Sequence, residues 1–239
     1  MSRLDTDGVA VRELATGYEG LFATRPAKAG ETIFVERFAV YESLSAPDGH
    51  IPVVVRLALR IQMENHFDRL QTMGMRADCW TLGVDADAAP WLKRLVSAGA
   101  MSEKRMRDAY CIAAAYNIRC QTVLRTGPAE VSMVDRAVIA PLTCKANHSC
   151  EPNTFLWPAS SLEEVRERVT GLVAARDIKE GDELTFSYPG ESAEALPEQS
   201  KGERTEHGSF LDQVQTVRKT FLRERFGFEC VCMKCLRGE

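Results

Sequence analysis

The chain has 239 residues, its net charge is −4, and 45 % of its residues are hydrophobic. This length and apolar content suffice for a folded core, which excludes disorder as the main state. Thirty basic residues face thirty-four acidic ones, without a long run of Lys or Arg, so we expect no direct nucleic-acid binding.

The N-terminal sequence "MSRLDTDGVAVREL" has no uninterrupted apolar segment of the kind found in signal peptides. The most apolar stretch, "IPVVVRLAL", contains Arg56 and is far too short to span a bilayer. We therefore expect no membrane partner, and a protein of the cytoplasm or nucleus.

The first forty residues show strand patterns, and the next seventy show helical ones. "VAVREL", "GLFATR" and "TIFVERFAVYES" predict short strands separated by the turns "ATGYEG" and "PAKAGE". From about 51 to 120, apolar residues recur every three or four positions, and this pattern runs through "MSEKRMRDAYCIAAAYNIRCQTV". Ser102, followed by Arg105, is a predicted helix start.

Strand patterns return in "AVIAPLTCK", "RVTGLVAARDI" and "DELTFSY". The following "PGESAEALPEQSKGERTEHGSF" is polar and rich in Gly and Pro, so we expect a long exposed loop. A helix is predicted from about Leu211 to Arg225.

The chain ends in a cluster of cysteines, Cys230, Cys232 and Cys235, spaced as C-x-C-x-x-C. Neighbours so close in sequence form disulfides only awkwardly, whereas three thiolates suit a zinc ion that lacks a fourth ligand. The candidates for that ligand are Cys79, Cys111, Cys120, Cys144, Cys150 or a His. The alternative is a chance group of reduced thiols.

Four separated motifs together indicate a family. "EGLFATRPAKAGE", "NHSCEPN" (147–153), "RDIKEGDELTFSY" (176–188) and "FGFECVCMKC" (226–235) follow one another along the chain. Their order and spacing resemble those of SET-domain lysine methyltransferases, and especially the SMYD branch. The set of Cys and His that a MYND zinc finger needs is missing between residues 45 and 90.

The resemblance implies an α+β fold, mainly β: a SET (β-clip) fold with a C-terminal pseudoknot, a helical insertion and a post-SET zinc site. The N-terminal part of the SET domain then covers 1–45 and the helical insertion 46–120. The C-terminal SET core covers 121–190, a loop and helix cover 191–225, and the zinc-binding tail covers 226–239.

The resemblance also implies S-adenosylmethionine as cofactor. Asn147 corresponds to the residue that holds its amino-acid end, and His148 to the one that contacts its adenine through main chain. Glu19, Gly20 and Leu21 match the family's G-x-G turn, where Tyr18 replaces a Gly, and a bulky residue is strained if that turn needs positive φ. Asn117 resembles a further cofactor contact. Taken alone, Asn147 and His148 equally suit a polar turn.

In the family the Cys of the NHSC motif joins the three tail thiolates, which implies a zinc site of Cys150, Cys230, Cys232 and Cys235. Phe228 then corresponds to the ring that stacks on adenine, although a core Phe is the simpler alternative. Tyr188 matches the active-site Tyr, which orients the substrate amine. Phe186 and Phe226 are expected to line the lysine channel, and Phe226 in place of a Tyr predicts di- or trimethylation.

We therefore expect methyl transfer from S-adenosylmethionine to the side-chain amine of lysine in a protein or peptide, by a monomer. Two alternatives stay open: a non-catalytic SET module that acts as a partner-binding scaffold, and a SET-fold enzyme that acts on a small molecule.

Overall fold

The computed structural model of the chain describes residues 7–14, 18–37, 39–44, 51–72, 86–99, 101–125, 131–157, 168–188 and 210–238. Of residues 119–125, 131–135, 210–215 and 225 it describes the backbone. The described part contains ten strands, which form three small sheets, and six α-helices.

The first sheet brings together strands from the first of the SET motifs and from the later ones. Its strands, in spatial order, are β1 (Val9–Glu13), β2 (Glu19–Ala23), β10 (Glu183–Phe186) and β7 (Asn147–His148). The strand β2 is antiparallel to both of its neighbours, whereas β10 and β7 are parallel. The strand β10 therefore lies between β2 and the NHSC segment (residues 147–150).

The other two sheets divide a segment that we expected to be one strand. One consists of β3 (Thr32–Arg37), β9 (Val169–Ala174) and β8 (Thr154–Leu156), the other of β4 (Val40–Ser43), β6 (Val131–Ile139) and β5 (Ile118–Arg125). The prediction of a single strand for "TIFVERFAVYES" is thus wrong. The chain changes partner within it, since β3 pairs with β9 and β4 with β6.

Four helices form the predicted helical block. They are α1 (Val53–Met63), α2 (Phe67–Thr72), α3 (Ala89–Ser97) and α4 (Glu103–Tyr116). The predicted helix start at Ser102 is confirmed, because its side chain accepts a hydrogen bond from the Arg105 N–H. Buried residues of α1 and α4, including Leu57, Ile61 and Tyr110, share one core with residues of β4 and β6.

The predicted helical pattern extends too far at its C-terminal end. The helix α4 stops at Tyr116, and residues 118–125 form β5, which pairs along its whole length with β6. Asn117 ends the helix: its backbone is extended, and its side-chain amide donates to the carbonyls of Ala113 and Ala114. The alanines before it favour helix, and the β-branched residues after it favour strand.

At the C-terminal end, α5 (Phe210–Phe226) confirms the predicted helix, and a short α6 (Met233–Leu236) follows in the cysteine tail. The loop predicted before it, residues 189–209, lies outside the described residues. None of the helices in the described ranges is both long and apolar enough to cross a membrane.

Candidate functional site

The NHSC segment lies against the end of β10. A 3-10 turn (Thr143–Lys145) leads into β7, whose Asn147 and His148 pair with Thr185 and Phe186 of β10. Two residues further along, the chain reaches Tyr188, whose ring lies 5.3 Å from that of His148, centre to centre. The parallel pairing therefore brings together two of the motifs that carry predicted site residues.

His148 connects Tyr188 to the cysteine cluster. Its Nδ1 accepts a hydrogen bond from the Tyr188 N–H at 3.1 Å, and its Nε2 lies 3.2 Å from Cys150 Sγ. Burial, with Arg218 nearby, lowers the pKa of His148 to about 4. The ring is therefore neutral at pH 7, and because Nδ1 accepts, Nε2 carries the proton and donates to the sulfur.

Asn147 lies beside the first turn of the sheet. Its side-chain amide donates to Glu183 Oε1 at 2.7 Å and to the backbone oxygen of Glu19 at 3.2 Å. A Cβ atom on Gly20 would lie 2.9 Å from Glu183 Oε1 and 3.2 Å from Asn147 Nδ2. The absence of a side chain at Gly20 therefore leaves room for the hydrogen bond between Asn147 and Glu183.

The remaining predicted cofactor residues are placed differently. Leu21 is fully buried in the core between the sheets, so any contact with a ligand would be through its backbone. Asn117 uses its amide protons to cap α4. Tyr18 is 67 % exposed, and the described non-glycine residues with positive φ are Asn65 and Arg168. Tyr18 is not among them, so its backbone does not have the positive φ that would strain a bulky residue.

Four aromatic rings surround the end of β10. The Tyr188 ring centre lies 4.9 Å from that of Phe226, 5.1 Å from Phe186 and 6.1 Å from Phe228. The Phe228 ring also lies 6.0 Å from His148. The two predicted channel residues and the predicted adenine-stacking residue thus meet at Tyr188, although two of them come from the end of α5 and the segment after it.

The Tyr188 hydroxyl group points at the NHSC segment and donates a hydrogen bond to the Ala146 carbonyl at 3.2 Å. Burial, with smaller contributions from Cys144 and Glu183, raises the pKa of Tyr188 above its ordinary value of 10. The phenol is therefore neutral at pH 7. Its oxygen can accept a hydrogen bond from an amine, but it is not a phenolate base.

The four cysteines assigned to zinc converge. Their sulfur atoms all lie within 4.8 Å of one another, with Cys150 Sγ at 3.8 Å from Cys230 Sγ and 3.5 Å from Cys235 Sγ. Thiolates around a tetrahedral Zn²⁺, each at about 2.3 Å, lie about 3.8 Å apart. This group, which we call the thiol cluster, can therefore hold a structural zinc ion, as predicted.

The surroundings of the thiol cluster act differently on its members, since burial raises the pKa of Cys150 and of Cys230. Burial acts against ionisation, but N–H groups of the backbone, first that of Cys235, and then the neighbouring thiols lower the pKa of Cys232 to about 6. The Nε2–H of His148 donates to Cys150 from outside the cluster. Outside the cluster, Arg237 and Glu151 form an ion pair at 3.2 Å that joins the tail to the NHSC segment.

The other candidate cysteines do not reach this cluster where they are described. Cys111 is buried in α4, and Cys144 donates to the Tyr116 carbonyl. Cys79 lies outside the described residues, and so does the side chain of Cys120.

Two polar residues of the site were missed by sequence reasoning. Glu183 contacts Asn147, and Lys145 forms an ion pair with Glu19. A signal existed for Lys145, since it is a charged residue in the otherwise uncharged segment "APLTCKANHSC". Glu183 gave no such signal, because a Glu after a "KEGD" turn is typical of an exposed strand end.

Comparison with known proteins agrees with this arrangement. Residues 19–189 match the SET domain family. The chain belongs to the SET domain family. This confirms the family resemblance and the SET fold, with mainly strands and additional helices.

The proteins that are similar to the chain include the following two. A SET and MYND domain-containing protein of Dictyostelium discoideum is 30 % identical over 95 residues, which make up 39 % of this chain and 13 % of that protein. The solved structure of the SET domain of LSMT bound to lysine and AdoHcy aligns with 93 % of this chain and 70 % of its own, at 12 % identity and a TM-score of 0.44. The match to the D. discoideum protein thus spans a small part of that relative's length.

Proposed function

We propose that this SET domain transfers methyl groups from S-adenosylmethionine to the side-chain amine of lysine in a protein or peptide. The observation that carries the proposal is the meeting of His148 and Tyr188 with the tail residues Phe226 and Phe228. Family membership over residues 19–189 supports it. We also propose that the protein acts as a monomer in the cytoplasm or nucleus.

The residues present fit the cofactor. The side chain of Asn147, held by Glu183 and Glu19 beside Gly20, offers polar groups to the amino-acid end of the cofactor. The Phe228 ring beside His148 offers an aromatic face for an adenine. When bound, S-adenosylmethionine supplies an electrophilic methyl group on its sulfonium.

The chain's own contribution is alignment and exclusion of water. Transfer to lysine requires a neutral amine in line with the methyl group, and an amine with a pKa near 10.4 in water loses its proton more readily among apolar groups. The rings of Phe186 and Phe226 provide such surroundings beside Tyr188. The neutral Tyr188 hydroxyl orients the amine by accepting one of its hydrogens. The number of methyl groups that are added to the lysine remains a prediction, which rests on Phe226.

A transfer assay tests the proposal. Zinc-replete protein is incubated with tritium-labelled S-adenosylmethionine and a library of lysine-containing peptides, and labelled products are identified as methyl-lysines after hydrolysis. We expect labelled methyl-lysine with wild type and a loss of about 100-fold with Tyr188→Phe. Folding of this variant is checked, because the lost hydrogen bond to Ala146 costs about 1 kcal/mol.

Tyr41→Phe is the matched control, because it removes a hydroxyl group from β4 and leaves the proposed site intact. Label on a free small molecule instead of on lysine would favour the small-molecule alternative. Cofactor binding without transfer to any peptide or protein would favour the scaffold.

A further inference from the structure

Three arginine side chains gather around one tyrosine ring at the surface. The guanidinium carbons of Arg60, Arg136 and Arg168 lie 5.6, 5.4 and 4.6 Å from the centre of the Tyr41 ring. Each distance is within the range of a cation–π contact, which extends to about 6 Å. We call these four residues the arginine cluster. It shares no residue with the proposed methyl-transfer site.

The fold brings the cluster together from distant parts of the chain. Tyr41 is on β4, an edge strand of its sheet, and pairs with Val138 of β6. Arg136 lies two residues from Val138, so its side chain is on the same face of the sheet as the Tyr41 ring. Arg60 reaches the ring from the last turn of α1, and Arg168 immediately precedes β9 in another sheet. The cluster therefore exists only in the folded chain.

One member of the cluster already binds carboxylates. Arg60 forms ion pairs with Glu42 and, at 2.9 Å, with Glu64. Arg56 also approaches Glu42, at 3.5 Å, so two arginines balance these two carboxylates. Arg168 is exposed, and within the described part of the chain it contacts the ring and forms no ion pair with a carboxylate. Its charge is therefore available to an anion from outside.

The chemistry of the cluster favours carboxylates as that anion. The fields of guanidinium groups gathered at one point add, so together they attract an anion more strongly than one arginine does. A guanidinium binds a carboxylate through two parallel N–H groups. A nucleic-acid backbone fits less well, because it needs a basic surface that follows several phosphates, and this chain has a net charge of −4.

We propose that the arginine cluster docks an acidic segment of a protein partner, whose Asp or Glu carboxylates bind Arg136 and Arg168 beside the Tyr41 ring. The docking does not depend on methyl transfer, so it stands or falls separately from the proposed function. Because the cluster is at the surface, salt screens the attraction, and binding is stronger at low ionic strength.

A fluorescent polyglutamate peptide tests the docking. Its binding is measured by fluorescence anisotropy at about 20 mM and about 150 mM salt, because the Debye length falls to about 8 Å at the higher concentration. We expect wild type to bind at low salt and the double variant Arg136→Gln/Arg168→Asn to bind about tenfold or more weakly. Asparagine suits position 168, because Arg168 has a φ of +59°.

The matched control is the double variant Arg12→Gln/Arg94→Gln. Arg12 and Arg94 also lie over aromatic rings, those of Phe22 and Trp91, each at 5.2 Å. The control therefore removes the same charge and the same kind of contact elsewhere on the protein. We expect its affinity for the peptide to stay within about twofold of wild type. Equal losses in the two double variants would show that the peptide responds to net charge alone, which overturns the inference.

Arg168→Asn alone provides a second test in case the first double variant does not fold, since Arg168 is exposed. It should weaken peptide binding by about threefold or more, whereas Arg94→Gln should not. An oligonucleotide of equal charge that binds more tightly than the peptide would overturn the choice of a protein partner. Failure of wild type to bind the peptide at low salt overturns the inference and leaves the proposed function as it stands.

Discussion

Gly20 shows how one residue without a side chain shapes the site. The backbone of β2 passes close to Asn147 and Glu183, and a Cβ on Gly20 would approach Glu183 Oε1 to 2.9 Å, nearer than real Cβ atoms lie. The hydrogen bond between Asn147 and Glu183 occupies the same space. Glycine at position 20 therefore permits the observed position of the Asn147 amide.

We predict that Gly20→Ala weakens cofactor binding by at least about tenfold. The added methyl group displaces the Glu183 carboxylate and with it the Asn147 amide, and overpacking of this kind costs roughly 1–3 kcal/mol of stability. The measurements are calorimetric titration with S-adenosylhomocysteine and chemical denaturation.

The control for this substitution is Gly99→Ala. Gly99 has a φ of +70°, and a Cβ there meets open space, so alanine costs about 1 kcal/mol of backbone strain and nothing at the site. Cofactor affinity that is the same in Gly20→Ala and Gly99→Ala would show that the position of the Asn147 amide does not affect cofactor binding.

At the scale of elements, one buried carboxylate connects β3 to the turn before the NHSC segment. Glu36 is 4 % exposed. Its carboxylate accepts hydrogen bonds from the Leu142 N–H at 3.0 Å, from the Thr143 N–H at 2.5 Å and from the Thr143 hydroxyl at 2.7 Å. The 3-10 turn is therefore held by a residue more than a hundred positions earlier in the chain.

This connection predicts a pH dependence of stability. Burial raises the pKa of Glu36 above its ordinary value of 4.5, against the opposing effect of the Leu142 and Thr143 hydrogen bonds. The folded protein then holds this proton more tightly than the unfolded chain does. The resulting stabilisation is present below pH 4.5 and is lost as pH rises through the folded pKa.

Glu36→Gln removes this titratable group, and the variant therefore serves as the reference for wild type. The free energy of unfolding of wild type, relative to the variant, should therefore increase as pH is lowered from 7 to 5. Urea denaturation of both proteins across this range measures it. A difference that stays constant with pH, or that decreases, contradicts a raised pKa.

Local patterns were sufficient for most elements and failed where the chain changes partner. The apolar alternation of β3 continues into β4, so the sequence carries no signal that Val40 leaves one sheet for another. The sequence does not indicate the strand after Asn117, because the helical period of α4 continues through residues that pair with β6. Both errors arise from pairing with strands far away in sequence, which local propensity does not report.

At the scale of the whole molecule, the thiol cluster joins two segments eighty residues apart. Cys150 follows the NHSC motif, whereas its three partners lie in the tail. His148 then connects the cluster to the Tyr188 backbone. The zinc site therefore helps to fix the position of the tail aromatic residues and the position of Tyr188.

Loss of zinc should release the tail as well as lower stability. We expect about one zinc ion per chain in wild type, measured by elemental analysis, and its loss in Cys150→Ser, together with about 4 kcal/mol or more of stability. Cofactor affinity should fall too, because Phe228 is no longer held near His148.

Cys111→Ala is the control for the thiol substitution, because Cys111 is buried in α4 away from the thiol cluster. It should keep its zinc. If Cys150→Ser retains a full equivalent of zinc, the ligand set is wrong.

The motif residues of the site were predictable and the residues that support them were not. The resemblance implied all four zinc ligands, and the structure brings them together. Lys145 and Glu183 have no motif of their own, because their role depends on the packing of β2 against β7 and β10. Such support is set by three-dimensional contact, and a sequence pattern reports only what recurs along the chain.

Binding of S-adenosylmethionine to zinc-replete protein, measured by calorimetry beside Asn147→Ala and Tyr188→Phe, tests the central claim most directly. The account predicts that wild type and Tyr188→Phe bind one cofactor per chain and that Asn147→Ala does not. A folded, zinc-loaded wild type that fails to bind S-adenosylmethionine would contradict the account and leave the scaffold alternative in the lead.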